Sequence, residues 1–253
     1  MRILLVPDKF KASLSSNEIC SIIGQQLTKE FGDSISIEQH PMADGGDGSL
    51  NVLSQFIPFQ QTVMEVKDPL GKNCQAYYCT HDATAYVELA IASGIAAIPQ
   101  SYRNPRYTST YGTGQLIKNA IDNGYKNIFL FLGGSSTNDA GTGIASALGY
   151  TFLNKDGSVL QAVGDNLGSI DNIQYNGDIE FNDISIQILC DVTNPLYGLN
   201  GAAYTFAQQK GANQEDIEYL DKGLQSFAEV LKSYSGIEVQ EFEGAGAAGG
   251  IGA

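Results

Sequence analysis

The sequence predicts an α/β protein with a parallel sheet, joined to a second, mixed α/β part that begins near residue 65. The first observation is a strand–helix–strand pattern over residues 2–39, which is the unit of a parallel sheet. The second is the short apolar run at 128–132, which leads through glycines into a helical pattern, as buried parallel strands do. The third is the period-2 pattern with short turns over 62–88, which indicates antiparallel strands.

The opening unit combines a strand at 2–6, a helix and a second strand at 34–39. Ser15 and Glu18 have the spacing of a capping box, so the helix is expected to start there. Ligands of parallel sheets gather beyond the carboxyl ends of the strands. The loop beyond the first strand therefore presents three candidate site residues: Asp8, Lys9 and Lys11.

The loop after the second strand contains two carboxylates, Asp44 and Asp47, among glycines. Glycine permits backbone angles that let both carboxylates converge on one cation or one hydroxyl group. The spacing differs from that of an EF-hand, so Mg²⁺ with phosphate oxygens is the functional interpretation. A solvated turn that uses Asp and Gly for its geometry is the alternative.

The stretch 127–148 is the most distinctive part of the chain. Its strand, glycine-rich turn and helix start form a predicted anion pocket, because unpaired N–H groups and the helix dipole favour negative charge. Asn138 and Asp139 could cap the helix or reach a metal or a substrate hydroxyl, and a plain strand-to-helix turn stays open. The anion turn comprises Gly133, Gly134, Ser135, Ser136, Thr137, Asn138 and Asp139.

Two later segments add candidate site residues, and a third adds a predicted hairpin. Asp191 and Asn194 follow a predicted strand at 184–190, although Asp191 could equally cap its turn. Lys210 precedes a long amphipathic helix and could meet a phosphate. Residues 150–153 and 159–162 resemble a hairpin.

The composition excludes some classes of function. A formal net charge of −14 argues against nucleic acid as a partner, because phosphate contacts need clustered Lys and Arg. An anionic ligand would need local cations or Mg²⁺ to offset this charge. No apolar run approaches the ~20 residues of a membrane span, and the N-terminus lacks a signal-peptide pattern. We expect a cytoplasmic protein without a membrane partner.

Together these motifs resemble the bacterial glycerate kinases of the GarK/GlxK type, the glycerate 2-kinase family. The matching stretches follow one another along the whole chain: PDKFKASLS (7–15), PMADGGDGS (41–49), DPLG (68–71), YGTGQLI (111–117), GGSSTNDAGTG (133–143), CDVTNPLYG (190–198), QQKGA (208–212) and GAGAAGGIGA (244–253).

The resemblance implies two α/β domains, of which one is flavodoxin-like and discontinuous in sequence. Residues 1–64 would be the first segment of that flavodoxin-like domain, and residues 65–253 the second, mixed domain. Because the chain stops inside the glycine-rich stretch 244–253, we expect it to be C-terminally truncated, with its last residues leading back toward the first domain.

The resemblance also implies ATP-dependent phosphorylation of D-glycerate with Mg²⁺, usually at the 2-hydroxyl. The expected partners are this small acid and the nucleotide, and a homo-oligomer is left open. From their chemistry we assign catalysis to Asp44, Asp47, Lys9 and Asp191, with Asp44 and Asp47 as Mg²⁺ ligands. The predicted substrate- and phosphate-binding residues are Asp8, Lys11, Asn194, Lys210 and the anion turn.

Two other functions stay open at this point. A non-catalytic ligand-binding fragment of such a kinase is one. A nucleotide-dependent hydroxy-acid oxidoreductase is the other, but it would need GxGxxG directly after the first strand, and PDKFKASLS lacks that motif.

Overall fold

The computed structural model of the chain describes residues 1–10 and 13–253. Lys11, a predicted binding residue, therefore lies outside the described residues. The strands are β1 Arg2–Leu5, β2 Ser36–Gln39, β3 Gln60–Lys67, β4 Asn73–His81, β5 Thr84–Glu88, β6 Asn127–Phe131, β7 Tyr150–Leu153, β8 Asn172–Tyr175 and β9 Ser185–Leu189. The α-helices are α1 Ser16–Phe31, α2 Ser49–Leu53, α3 Leu89–Ser93, α4 Tyr111–Asp122, α5 Thr142–Ala147 and α6 Gln214–Ser235.

The described strands form three sheets. β1 and β2 pair in parallel as a small sheet of their own. The largest sheet has the order β3-β4-β5-β6-β9. Its first three strands are antiparallel, and its β5-β6-β9 part is parallel. The mixed α/β fold class predicted from the sequence is confirmed.

Helix α1 begins as its sequence predicts. The Ser15 side chain accepts from the N–H of Glu18, and the Glu18 carboxylate accepts in return from the N–H of Ser15, which completes the capping box. Ile19 and Cys20 are buried beneath the helix. The division of the chain at 64/65 stays a prediction; strand β3, which starts at Gln60, pairs with β4 over its whole length.

The predicted hairpin at 150–162 is confirmed in part: the N–H of Leu160 donates to the carbonyl oxygen of Phe152 at 2.9 Å, but residues 159–162 form no strand. The turn after β7 exists, and a single bridge joins Leu153 to Val159. The strand that pairs with β7 along its whole length is β8. The two strands are antiparallel, with Tyr150 opposite Tyr175 and Leu153 opposite Asn172. Aromatic contact contributes to this choice, because the rings of Tyr150 and Tyr175 lie 4.8 Å apart.

Two large hydrophobic cores and one small cluster around Leu50, Cys79 and Phe131 support the sheets in the described residues. One lies under the parallel strands and includes Ile128, Leu130 and the buried face of α4. The other packs the long helix α6 through Leu220, Leu224 and their neighbours, as its 3,4 spacing predicts. No helix in the described part of the chain has both the length and the apolar character that crossing a membrane requires.

Candidate functional site

Two glycine-rich loops from distant parts of the sequence touch at the carboxyl edge of the large sheet. The N–H of Gly133 donates to the carbonyl oxygen of Gly45 over 3.0 Å. A Cβ atom placed on Gly133 would lie 2.2 Å from the Cα of Gly46. Only glycine permits so close an approach of two backbones. The loop at 44–48 and the anion turn at 133–139 therefore form one surface.

Lys9 connects the first strand to this surface. Its Nζ lies 2.6 Å from Asp44 Oδ1 and 3.7 Å from Asp47 Oδ1. Burial opposes the charge of Lys9, but the hydrogen bond and the charges of these carboxylates raise its pKa above the usual value. Burial likewise disfavours the Asp44 carboxylate, yet Lys9 and the N–H of Gly46 outweigh it and lower the Asp44 pKa. Both groups are thus charged at neutral pH.

Asp47 is the more accessible of the two carboxylates. Its side chain is 56 % exposed, against 27 % for Asp44. The described residues contain no group of three or more His, Cys, Asp or Glu side chains arranged to hold a metal ion. Mg²⁺ is commonly bound by one or two carboxylates together with substrate phosphates. Asp47, with Asp44 beside it, fits that partial ligand set.

Glu88, at the end of β5, is a site residue that the sequence analysis missed. It is 4 % exposed, and its carboxylate accepts from the N–H of Gly48 at 2.8 Å and of Leu50 at 3.1 Å. Burial raises the pKa of Glu88. The residue holds the 44–48 loop at the start of α2, a role for which a single Glu at a strand end gives no sequence signal.

The side chains of the anion turn point into the protein. Asp139 is fully buried, and its Oδ2 accepts from the N–H and the hydroxyl of Thr110, both at 2.8 Å. Weaker bonds reach it from Gly141 and Gly143. Burial raises the pKa of Asp139 despite these donors. Of the two roles left open, the geometry favours the cap: Asp139 joins the starts of α4 and α5.

Lys210 lies beneath the same turn. It is 3 % exposed, and its Nζ donates to Ser135 Oγ at 2.7 Å and to the carbonyl oxygen of Thr137 at 2.6 Å. The hydroxyl of Thr137 and both amide atoms of Asn138 are buried without a hydrogen-bond partner in the described part of the chain. Such unsatisfied groups are rare in native structures, and a catalytic role or a bound water or ion can explain them.

The Lys210 amine should make folding stability depend on pH. Burial lowers the pKa of Lys210 in the folded protein to about 7, although the charge of Asp139 acts to raise it. In the unfolded chain a lysine has a pKa of about 10.4. Between these values only the unfolded chain binds the proton, so stability rises with pH. We expect the free energy of unfolding to rise by roughly 1–3 kcal/mol from pH 7 to 9. Lys210→Met should lose most of this rise in urea titrations, and an equal rise in both proteins would contradict the assignment.

The last residues of the chain cover the anion turn. The N–H of Ala140 donates to the carbonyl oxygen of Gly249 at 3.0 Å. Ala140 and Ala248 both have positive φ, 50° and 53°. Non-glycine residues in this region are strained and cluster at functional sites.

Of the other predicted residues, Asp191 and Asp8 lie near the site, whereas the Asn194 side chain binds within its own loop. Asp191 is exposed beyond β9, whose last residue, Leu189, lies against Gly45; Asp191 is therefore at the same sheet edge. The Asp8 carboxylate accepts from the N–H of Lys9 at 2.7 Å. The Asn194 side chain instead donates to the carbonyl oxygen of Asn200, and this contact holds its own loop.

The fold is a mixed α/β fold in which a loop with two carboxylates meets the glycine-rich turn at 133–139. The chain belongs to the glycerate kinase family, whose model matches residues 3–253. As a kinase family, it takes a nucleotide as one substrate.

Individual relatives agree with this assignment. A glycerate kinase of Bacillus cereus is 40 % identical over 100 % of this chain and 67 % of its own length. A glycerate 2-kinase of Escherichia coli K12 is 38 % identical with the same two coverages. A crystal structure of a Salmonella typhimurium LT2 protein assigned as glycerate kinase 2 has a TM-score of 0.83 and 36 % identity, over 100 % of this chain and 68 % of that one. The chain thus spans about two thirds of these relatives.

Proposed function

We propose that this protein transfers the γ-phosphoryl group of ATP to D-glycerate, with the 2-hydroxyl as acceptor. The observation that most supports this function is the contact between the 44–48 loop and the anion turn, with the Lys9 ammonium 2.6 Å from Asp44. Phosphoryl transfer depends mainly on positioning and on charge stabilisation. The carboxylate pair, the largely buried Lys9 and the anion turn lie on one surface. Together they can supply both the positioning and the charge stabilisation.

The residues divide the reaction between them. Asp47, whose carboxylate is exposed, accepts the proton of the acceptor hydroxyl group, and Asp44 holds Lys9 in place. Lys9 offsets the charge of the transferred phosphoryl group. Asp191 supports the substrate or metal from the end of β9.

The anion turn is assigned to the nucleotide phosphates. Ser135 Oγ and the carbonyl oxygen of Thr137 accept from the Lys210 amine, and an arriving phosphate would favour the protonated form of that amine. Asp139 keeps the turn in position through Thr110. Asp44, whose bonds to Lys9 and to the N–H of Gly46 use Oδ1, would hold Mg²⁺ beside Asp47, and the ion when bound neutralises phosphate charge as a Lewis acid.

A coupled assay of ADP release tests the function. We expect ADP with ATP and D-glycerate together, and none with glycerol, which lacks the carboxylate. Phosphorus NMR of the product distinguishes the 2-phosphate from the 3-phosphate. The assay should include a second protein in which the chain is extended by the remaining third of the Escherichia coli relative.

The outcome separates this function from the alternatives. Absence of ADP from both proteins would refute it. The 253-residue chain would instead be a binding fragment if it bound D-glycerate and a non-hydrolysable ATP analogue but released no ADP, while the extended protein did release ADP. The coverage of about two thirds of the relatives is the reason for testing that fragment hypothesis.

A further inference from the structure

Asp47 lies where the 44–48 loop meets the anion turn. A Cβ atom placed on Gly134 would lie 3.2 Å from Asp47 Cβ and 3.4 Å from Asp47 Cγ. The carboxyl group of Asp47 is therefore directly beside the turn to which we assign the nucleotide phosphates. Reacting atoms must lie within about 3–3.5 Å of each other, so a small shift of this loop would change whether Asp47 can take the proton of the acceptor.

Glycines give the chain on both sides of Asp47 wide conformational freedom. Gly45 and Gly48 have φ values of 82° and 87°, in the left-handed region that glycine adopts readily. The Ser49 hydroxyl donates to the carbonyl oxygen of Gly46 at 2.6 Å, which holds the middle of the loop. Helix α2 begins after Gly48, which has no side chain that could cap it. The first N–H groups of α2 must therefore be bound by another part of the chain.

Glu88 supplies that contact from the large sheet. Its Oε1 accepts from the N–H of Gly48 at 2.8 Å, and its Oε2 accepts from the N–H of Leu50 at 3.1 Å. Gly48 directly follows Asp47 in the chain, so these bonds lie one residue from the proposed base. Glu88 is itself held in place, because it is the last residue of β5, is paired with Phe131 of β6 and is buried.

Two adjacent strands thus support both parts of the site. Strand β6 leads into the anion turn at 133–139, and β5 ends at Glu88. Because β5 and β6 are neighbours in the sheet, Glu88 ties Asp47 to the same frame that carries the anion turn. The distance between the proposed base and the proposed phosphate site then depends on the sheet and not on the loop alone.

The two bonds need the two oxygens of a carboxylate. An ionised glutamate offers two acceptor oxygens and no donor. A glutamine has nearly the same shape, but it would direct an NH₂ group at one of the two N–H groups, and two donors would then face each other. Replacement of Glu88 by Gln should therefore release either Gly48 or Leu50.

We infer that Glu88 is a positioning residue for the proposed reaction: by holding Gly48 and Leu50, it keeps the Asp47 carboxylate beside the anion turn, where the proton of the acceptor hydroxyl group is taken up. This inference rests on the proposed function and adds to it a residue that is too buried to touch either substrate. Its effect should therefore appear in kcat and not in either KM.

The main test is Glu88→Gln. We expect the kcat of ADP release to fall about tenfold. A misplacement of about 1 Å can cost about a hundredfold, and the bonds of Ser49 and Gly133 still hold the first part of the loop. The KM values for D-glycerate and for ATP should stay within about twofold. An unchanged kcat in the folded variant would overturn the inference.

A double variant distinguishes positioning from an independent effect. If Glu88 acts through Asp47, Glu88→Gln combined with Asp47→Asn should be about as slow as Asp47→Asn alone, because the effects of residues that act as a unit do not add. A further loss of about tenfold in the double variant would show that Glu88 acts independently, which contradicts the inference. Glu180→Gln, at an exposed position, is the matched control and should leave kcat and both KM values unchanged.

NMR of the ¹⁵N-labelled chain tests the same contact without turnover. In Glu88→Gln the amide protons of Gly48 and Leu50 should exchange with solvent about tenfold faster, and the order parameter of the Asp47 amide should fall below that of the wild type. Unchanged exchange and unchanged order would refute the inference even if ADP were released. Glu88→Asp, which is too short to reach both N–H groups, provides the same comparison if the Gln variant does not fold.

The two sets of measurements separate the inference from the function on which it rests. If neither the wild type nor the extended protein released ADP, the proposed function would fail, while the NMR comparison would still show whether Glu88 holds Asp47 in place.

Discussion

Asp47→Asn should lower the kcat of ADP release by about 10²–10⁴-fold, the usual contribution of a general base. The asparagine amide keeps the size of the side chain but cannot accept the proton of the acceptor hydroxyl. The Asp47 side chain is 56 % exposed and 3.7 Å from Lys9, so the free energy of unfolding should change by less than about 0.5 kcal/mol. Steady-state kinetics and urea titrations of the same preparation measure both quantities.

Asp44→Asn provides the comparison. It breaks the 2.6 Å bond to Lys9, so it should lower both the turnover and the free energy of unfolding, the latter by about 1–3 kcal/mol. Asp33→Asn, at an exposed position after α1, should have neither effect. Near-native turnover in both the Asp44 and the Asp47 variants would remove the carboxylate pair from the mechanism.

Gly133→Ala should disrupt the site through the backbone alone. Its Cβ would lie 2.2 Å from the Cα of Gly46, where no flexible side chain can move aside. We expect the free energy of unfolding to fall by about 1–3 kcal/mol, as in other overpacked positions. Turnover should fall about a hundredfold, because a shift of ~1 Å in the 44–48 loop misplaces the carboxylates.

Gly168→Ala is the matched control for this substitution. Its added Cβ would find only Gly223 Cα, at 3.7 Å, which is an ordinary contact. Stability and activity should stay close to those of the wild type. If Gly133→Ala behaved in the same way, the contact between the two loops would not be needed for activity.

Local sequence signals predicted the elements of the site well. The capping box of Ser15 and Glu18 located the start of α1, and the apolar run ending at Leu132 located strand β6. Both signals arise from residues a few positions apart. Asp44 and Asp47 also lie three residues apart among glycines, which marks them as candidates, and their chemistry stays a prediction.

Long-range contacts were not predictable in the same way. The pairing of β7 with β8 brings Tyr150 and Tyr175 together, which the short turn at 154–157 does not reveal. The burial of Lys210 under Ser135 depends on a contact across 75 residues, and Glu88 reaches Gly48 across 40. Nothing in the sequence around either residue distinguishes it from an ordinary surface charge.

The meeting of Gly46 and Gly133 has a practical consequence for protein engineering. Since backbone atoms meet at this point, neither glycine can take a side chain without moving one of the two loops. Libraries that seek new acceptor molecules should therefore keep both glycines and vary exposed neighbours such as Met42 and Asn51. Variants selected from such libraries would then differ in how they bind the acceptor rather than in the stability of the fold.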